Sequence, residues 1–244
     1  MDKVTADKLI DKTRDDYNLI AEHFASTRKY NWPDIEAGIN QILSNYDKKI
    51  KIKVLDVGCG SGRVYDFFAE YNVEYTGLDI SKELIKIAKN NYPKANFMVG
   101  DATKLPLKDN GFDIVISIAT IHHIPTRELR NKAVYELYRV CKSNGHLLVS
   151  IWYFWNKPKI VFSFTRNYII RLAKNNFSNN NILPFADFYK PWKTGEGKTV
   201  TKRYFHAWRV MELRNALDIN GFSEITTDNT LKNLNNLILT ARKP

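Results

Sequence analysis

The sequence predicts an α/β fold, a mostly parallel sheet with helices on both faces. Three observations predict it. Short apolar runs alternate with helical patterns between residues 52 and 152. One of these runs, Lys53-Val54-Leu55-Asp56-Val57, ends beside Gly58, Gly60 and Gly62 at alternate positions, the pattern of a buried strand entering a tight turn and then a helix. The next two strands also end on acids, Asp79 and Asp101. Ligands of open α/β sheets bind at such strand ends.

The elements follow in order. Leu9, Ile10, Tyr17, Ile20, Ala21 and Phe24 have helical spacing, so residues 5–25 are an amphipathic helix. Pro33 opens a second helix, and Trp32 before it is held extended. Strand one is 52–57, and its helix runs from about Arg63 to Tyr71. Strand two covers 73–79. Ser81 caps the following helix toward Leu84. Strand three is 95–100. The turn Lys108-Asp109-Asn110-Gly111 leads into strand four, 112–117. Thr126 caps helix 127–141, which turns Ala133, Leu137 and Val140 inward, and strand five runs from Gly145 to Trp152. Helix 210–220 ends at Gly221, and strands near 222–228 and 234–241 close the chain. The expected division is 1–46, an N-terminal helical cap; 47–152, the ligand-binding core; 153–209, a basic aromatic insertion; and 210–244, the last helix and strands.

Composition bounds the function. The chain has 244 residues, 44% of them hydrophobic, and a net charge of +11, enough for one sizeable domain with additions. It is charged from Asp2 onward, unlike a signal peptide, and no run is long enough to span a bilayer. Cys59 and Cys141 lie far apart and form no zinc motif, so no metal is expected in this chain, and a reducing, cytoplasmic setting is. From Lys157 to Arg209 eleven basic residues face two acids, so most of the net charge lies there. Ten rings interleave with them: Trp155, Phe162, Phe164, Tyr168, Phe188, Tyr189, Trp192, Tyr204, Phe205 and Trp208. Cations for phosphates and rings for unpaired bases suit RNA. A membrane-surface segment is the competing reading, and the Asn-rich stretch 175–181 does not fit an inserted helix.

The glycine loop alone is a weak signal, since a turn that binds nothing would need the same glycines. With Leu78-Asp79 and Gly100-Asp101-Ala102 it resembles class I S-adenosylmethionine-dependent methyltransferases of the type 11 domain. Their rhythm is G-x-G-x-G rather than the dinucleotide G-x-G-x-x-G. The resemblance implies a Rossmann-like, seven-stranded fold and S-adenosylmethionine as cofactor. It implies Gly58, Gly60 and Gly62 at the methionine part, Asp79 on the ribose hydroxyls and Asp101 and Ala102 at the adenine. Tyr17, Asp56, Ile80 and Ser117 complete the cofactor set.

Three further stretches resemble the tRNA methyltransferases that esterify 5-carboxymethyluridine at the wobble position. They are Tyr17-x-x-Ile20-Ala21-x-x-Phe24-x-x-Thr27-Arg28 with Trp32-Pro33, then Ser117-Ile118-Ala119-x-x-His122-His123 with Thr126-Arg127-x-x-Arg130, then Lys190-Pro191-Trp192-Lys193 with Arg203-Tyr204-Phe205-His206 and Glu212-Leu213. Phe205 stands where a second tyrosine is usual, and residues 156–186 match no family pattern. The resemblance implies Arg28 and His122 as catalytic residues. It implies Lys190, Lys193, Arg203, Tyr204 and His206 as the substrate or RNA surface, to which the charge of the basic segment adds Lys202, with tRNA and a small zinc-binding activator subunit as partners. A small-molecule methyltransferase of the quinone-biosynthesis type is the alternative, because its core carries the same cofactor features. A non-catalytic RNA-associated protein that binds the cofactor is a third reading.

Overall fold

The computed structural model describes residues 1–28, 32–174, 183–227 and 236–244. The Asn-rich stretch 175–181 and the junction of the last two strands lie outside them. Helix α1 spans Lys3–Ser26, with the Asp2 carboxylate accepting from the Thr5 N–H at 2.8 Å as its N-cap. Helix α2, Pro33–Leu43, starts on its proline and buries Ile35, Ile39, Ile42 and Leu43. Then come β1 (Ile52–Val57), a 3₁₀ turn (Arg63–Phe68), β2 (Val73–Asp79), α3 (Lys82–Asn91), β3 (Asn96–Val99) and β4 (Phe112–Ile118). A second 3₁₀ turn (Ile121–His123), α4 (Arg127–Val140) and β5 (Cys141–Trp152) follow. The helix expected to reach Tyr71 is only this first 3₁₀ turn, which buries Val64 and Phe68, while Tyr65, Phe67 and Tyr71 pack partly buried against the same core.

The sheet has seven strands, the last two of them among the remaining elements. Those elements are α5 (Pro158–Lys174), a hairpin of β6 (Asp187–Lys193) and β7 (Thr199–His206), α6 (Val210–Ile219), β8 (Ser223–Thr227) and β9 (Asn236–Arg242). The spatial order is β3-β2-β1-β4-β5-β9-β8, parallel except for β9, which runs against both neighbours. The two-residue period of the strands sorts the core onto two faces. Leu55, Val57, Val115, Leu147 and Val149 meet α4 and α6 on one face. Val54, Ile114, Ile116 and Leu148 meet α2 and α3 on the other. Each such side chain contributes about 1.5–3 kcal/mol by leaving water.

Residues 153–209 differ most from expectation. Phe154, Phe164, Phe205 and Ala207 form a third core, joined by Trp152, Trp155, Ile160 and Phe188. Of the ten interleaved rings only Phe162 and Tyr189 are exposed. The aromatic rhythm therefore builds a small core beneath the hairpin rather than a stacking surface. Helix α1 lies against both α3 and β7, so it and the hairpin together cover the sheet's C-terminal edge. Among the described residues no helix is long and apolar enough to cross a membrane, and no cluster of His, Cys, Asp and Glu could hold a metal.

Candidate active site

The three loop glycines all have positive φ, +81° at Gly58, +56° at Gly60 and +83° at Gly62, a conformation costly for residues with a Cβ. They face different neighbours. A Cβ on Gly58 would lie 1.9 Å from the Thr120 hydroxyl, and one on Gly62 would meet the Phe97 ring at 2.8 Å. Only Gly60 opens onto free space, its nearest neighbour being Phe24 at 3.6 Å. The Asp79 carboxylate holds this loop in place. One oxygen accepts from the Gly60 N–H and the other from the Ser81 N–H, both at 2.9 Å.

These residues floor a cavity roofed by α1. Its lining includes Tyr17, Phe24, Asp56, Gly58, Gly60, Arg63, Asp79, Ile80, Asp101, Ala102 and His123. Gly62 and Ser117 are not among the lining residues. Gly62 packs under Phe97, and Ser117 is fully buried within β4. Asp56 is buried; Tyr75 donates to one of its oxygens at 2.7 Å, and among the described residues the other has no partner. Burial pushes its carboxyl up to about 7. The orphaned oxygen needs a donor, and a ligand's ammonium fits it. Arg63 beside it, its guanidinium lowered to about 10 by burial and by Arg28, suits a carboxylate. Acid and base at one end, Asp79 at the strand edge and the Ala102 strand end beyond it fit the amino acid, ribose and adenine of S-adenosylmethionine.

The cavity's far wall is a directed chain of hydrogen bonds. His123 Nδ1 lies 2.7 Å from the Tyr204 carbonyl, which can only accept, so Nδ1 carries the proton. His123 Nε2 then accepts from the Tyr17 hydroxyl at 2.8 Å, and the Tyr17 oxygen accepts from Arg203 Nη1 at 3.0 Å. Burial and Arg203 push His123 down to about 3, so it stays neutral. His122, expected as catalytic, lies behind this wall. It is buried, stacks on Phe205 at 5.1 Å and accepts from the Trp152 N–H at 3.3 Å. Its neighbour His123 is the histidine that reaches the cavity.

Beyond Tyr17 lies a group of cations. Arg203 is 2% exposed, with rings of Trp192, Phe205, Tyr17 and Trp152 centred 4.7–5.8 Å from its guanidinium carbon. Among the described residues its Nε has no partner. Arg28 sits over Phe24 and Trp192 at 5.3 and 5.7 Å, lowered by burial and by Arg203. Lys190 stands opposite Arg203 on the hairpin. Among the described residues none of the three is paired with a carboxylate. The other expected RNA contacts divide. Lys193 and Lys202 are exposed on the hairpin. Tyr204 and His206 are buried. The His206 ring nitrogens lie 2.6 Å from Asp187 and 3.0 Å from Glu212, and Arg130 meets Glu212 at 3.4 Å. Both Tyr204 and His206 therefore hold the hairpin to the domain rather than face solvent. Sequence reasoning singled out the histidine pair but chose His122 over His123, and it passed over Arg63 and Ala119, whose φ of +52° is uncommon outside glycine and is the structural mark of a shaped loop.

The sheet order, the glycine loop and the acid-bearing strand ends together define a class I S-adenosylmethionine-binding domain. Comparison with known proteins agrees. The family described as "Methyltransferase domain" matches residues 55–149. A protein of Encephalitozoon cuniculi named as a methyltransferase is 30% identical over 216 residues, 88% of this chain and 85% of that one. The chain belongs to the methyltransferase family, and its cofactor is S-adenosylmethionine. A tRNA (carboxymethyluridine(34)-5-O)-methyltransferase of Arabidopsis thaliana is 37% identical over 136 residues, 56% of this chain and 31% of that protein. The match thus spans about a third of that relative's length. A solved S-adenosylmethionine-dependent methyltransferase of Methanosarcina mazei has the same fold, with a TM-score of 0.65, 21% identity and coverage of 84% of this chain and 96% of that one.

The electrostatics make a pH prediction. Asp56 binds a cationic ligand best when ionised, and burial raises it to about 7. S-adenosylmethionine affinity is expected to rise as pH increases toward 7, by up to roughly tenfold per unit. Calorimetry on Asp56→Asn should give a much flatter profile, with a residual slope from Asp79, which burial also raises. An unchanged slope would assign the titration elsewhere.

Proposed function

We propose that the protein transfers the methyl group of S-adenosylmethionine to the carboxylate of 5-carboxymethyluridine at the tRNA wobble position, forming its methyl ester. The observation that carries this reading is the ring-walled group of Arg28, Lys190 and Arg203 beside the cofactor cavity. Buried and half-buried cations with no acid beside them among the described residues are costly. A neutral methyl acceptor would leave them unmatched, whereas a carboxylate matches the two guanidiniums. The similarity to the Arabidopsis relative favours the same substrate.

The acceptor needs no general base, because a carboxylate with a pKa of about 4 is ionised at neutral pH. His123 accordingly has nothing to abstract. Its proton is committed to Tyr204 and its lone pair to Tyr17. Bound S-adenosylmethionine supplies a methyl already activated on a positive sulfur. The chain's own work is alignment. Arg203 and Arg28 hold the carboxylate and leave one oxygen directed past Tyr17 toward the cavity. Tyr17, fixed between Arg203 and His123, sets that approach. Trp152, Trp192 and Phe205 exclude water. Lys193 and Lys202, exposed on the hairpin, meet RNA phosphates and give a salt-dependent affinity. The target base leaves a loop that is already single-stranded, which costs little. Residues 1–46 and 153–209 act as the two halves of a cover over the core 47–152, and 210–244 completes the sheet.

The test offers the protein tRNA carrying 5-carboxymethyluridine or plain uridine, with S-adenosylmethionine and the small zinc-binding activator subunit expected as partner. Nucleoside mass spectrometry should find the methyl ester only on the first. Methylation of plain uridine, or of neither, would overturn the reading and move it to a small-molecule acid as acceptor.

A further inference from the structure

Lys190 is half-buried, and among the described residues no carboxylate pairs with it. Its Nζ lies 4.4 Å from the ring centre of Trp152 and 6.0 Å from that of Phe154. The charged groups that face it are Arg203 on β7, Arg28 at the end of α1 and Lys157 ahead of α5, all cations. Burial first, and then this company, pushes its ammonium down to about 8. Ring faces attract a cation without neutralising it. Against such a group of charges, a single carboxylate is too little. Once Arg203 and Arg28 hold that carboxylate, Lys190 is still uncompensated.

We infer that Lys190 anchors a phosphate of the target nucleotide, in a second anion subsite next to the one for the carboxylate. The inference rests on the carboxylate reading above and extends it to specificity: a nucleotide is taken in preference to its nucleoside, and to an acid that lacks phosphate. The residue types fit this division. An arginine fork matches a planar carboxylate, whereas an ammonium meets a tetrahedral phosphate as a compact point charge. The position fits as well. Lys190 and Arg203 are cross-strand partners on the hairpin, so the two anions would lie side by side, as a base substituent and its own backbone phosphate do when the nucleotide folds into a pocket.

The experiment is calorimetry on the protein saturated with S-adenosylhomocysteine. The ligands are 5-carboxymethyluridine, its 5′-monophosphate, its 3′-monophosphate and the two uridine monophosphates. At least one carboxymethyluridine monophosphate should bind about tenfold tighter than the nucleoside or better, the size of a charge-assisted contact. Lys190→Gln should remove that advantage and leave nucleoside affinity in place, and Lys190→Arg should restore most of it, which separates loss of the contact from loss of the fold. Raising pH from about 7 to about 9 should shrink the advantage in the unaltered protein, because the ammonium loses its proton, while the arginine-held nucleoside is unaffected. Two results would overturn the inference: a phosphate advantage that survives in Lys190→Gln, or no monophosphate binding better than the nucleoside. Failure of the carboxylate reading looks different. The uridine monophosphates would then bind as tightly as their carboxymethyl counterparts, whatever residue 190 is.

Discussion

Asp79→Ala is expected to lose S-adenosylmethionine affinity by about a hundredfold or more, and thermal stability with it. The carboxylate has two tasks. It accepts from the N–H groups of Gly60 and Ser81, so it fixes the glycine loop to the end of β2 and supports the start of α3. Its remaining lone pairs face the cavity, where the ribose hydroxyls of the cofactor would donate. Hydrogen bonds to a charged group are worth about 1.5–3 kcal/mol each, and two lost to the ligand correspond to roughly two to four decades of affinity. Loss of the two loop bonds adds a folding penalty, visible as a lower melting temperature. Gly60→Val separates the tasks. It leaves the Asp79 carboxylate in place but puts a side chain into the cradle at a φ of +56°. It should therefore abolish binding while the sheet stays folded. Calorimetry with both variants and an unchanged affinity in both would remove S-adenosylmethionine from this cavity.

How much of this site the sequence discloses depends on the range of the interaction that builds it. The Asp79 end of β2, the Ser81 cap on Leu84 and the Thr126 cap on Leu129 are local hydrogen bonds, and a residue's type and spacing suffice to place them. The strand order follows from alternating elements and right-handed crossovers. The glycines are legible as turn residues but not by role. All three take positive φ, yet which one meets a ligand depends on Thr120 and Phe97, far away in the chain. His122 and His123 are a sharper instance. They are adjacent on one short 3₁₀ turn, and only the placement of Phe205 and Tyr17 decides that the second faces the cavity.

The basic aromatic segment was legible in composition and misleading in geometry. Rings between cations suggest a surface for bases, but a segment of fewer than sixty residues laid over a sheet must also bury something of its own. Phe154, Phe164 and Phe205 do so. The hairpin then alternates its charges. Lys190 and Arg203 point in toward Trp152, whereas Lys193 and Lys202 stay in solvent. No one-dimensional pattern distinguishes these pairs, because the register shift at Trp192/Lys193 comes from the turn. The same holds for His206, whose place between Asp187 and Glu212 joins three elements.

Arg203→Met is expected to lower methyl transfer by about a hundredfold to a thousandfold without loss of stability. Both halves of this expectation follow from one observation, a guanidinium 2% exposed that no described carboxylate pairs with. Keeping such a charge in the fold costs several kcal/mol, and replacing it by an apolar chain of similar volume is neutral or favourable to folding. Met also preserves contact with the rings of Trp192 and Phe205. The loss falls on the substrate. Without Arg203 the carboxylate keeps only Arg28, and the oxygen that attacks is no longer aimed. Removing one such preorganised donor typically costs about 3–4 kcal/mol at the transition state. Tyr17 also loses its donor from Nη1, but it still donates to His123, so the cavity wall stays closed and S-adenosylmethionine affinity is expected to change little. Arg203→Lys keeps the charge without the fork and should recover only part of the rate. Single-turnover methylation of carboxymethylated tRNA, read beside the melting temperature and cofactor affinity of each variant, checks all of this. A stable Arg203→Met protein with unaltered turnover would show that the buried guanidinium serves the hairpin alone, and the acceptor's anion would then have to be sought at Arg28.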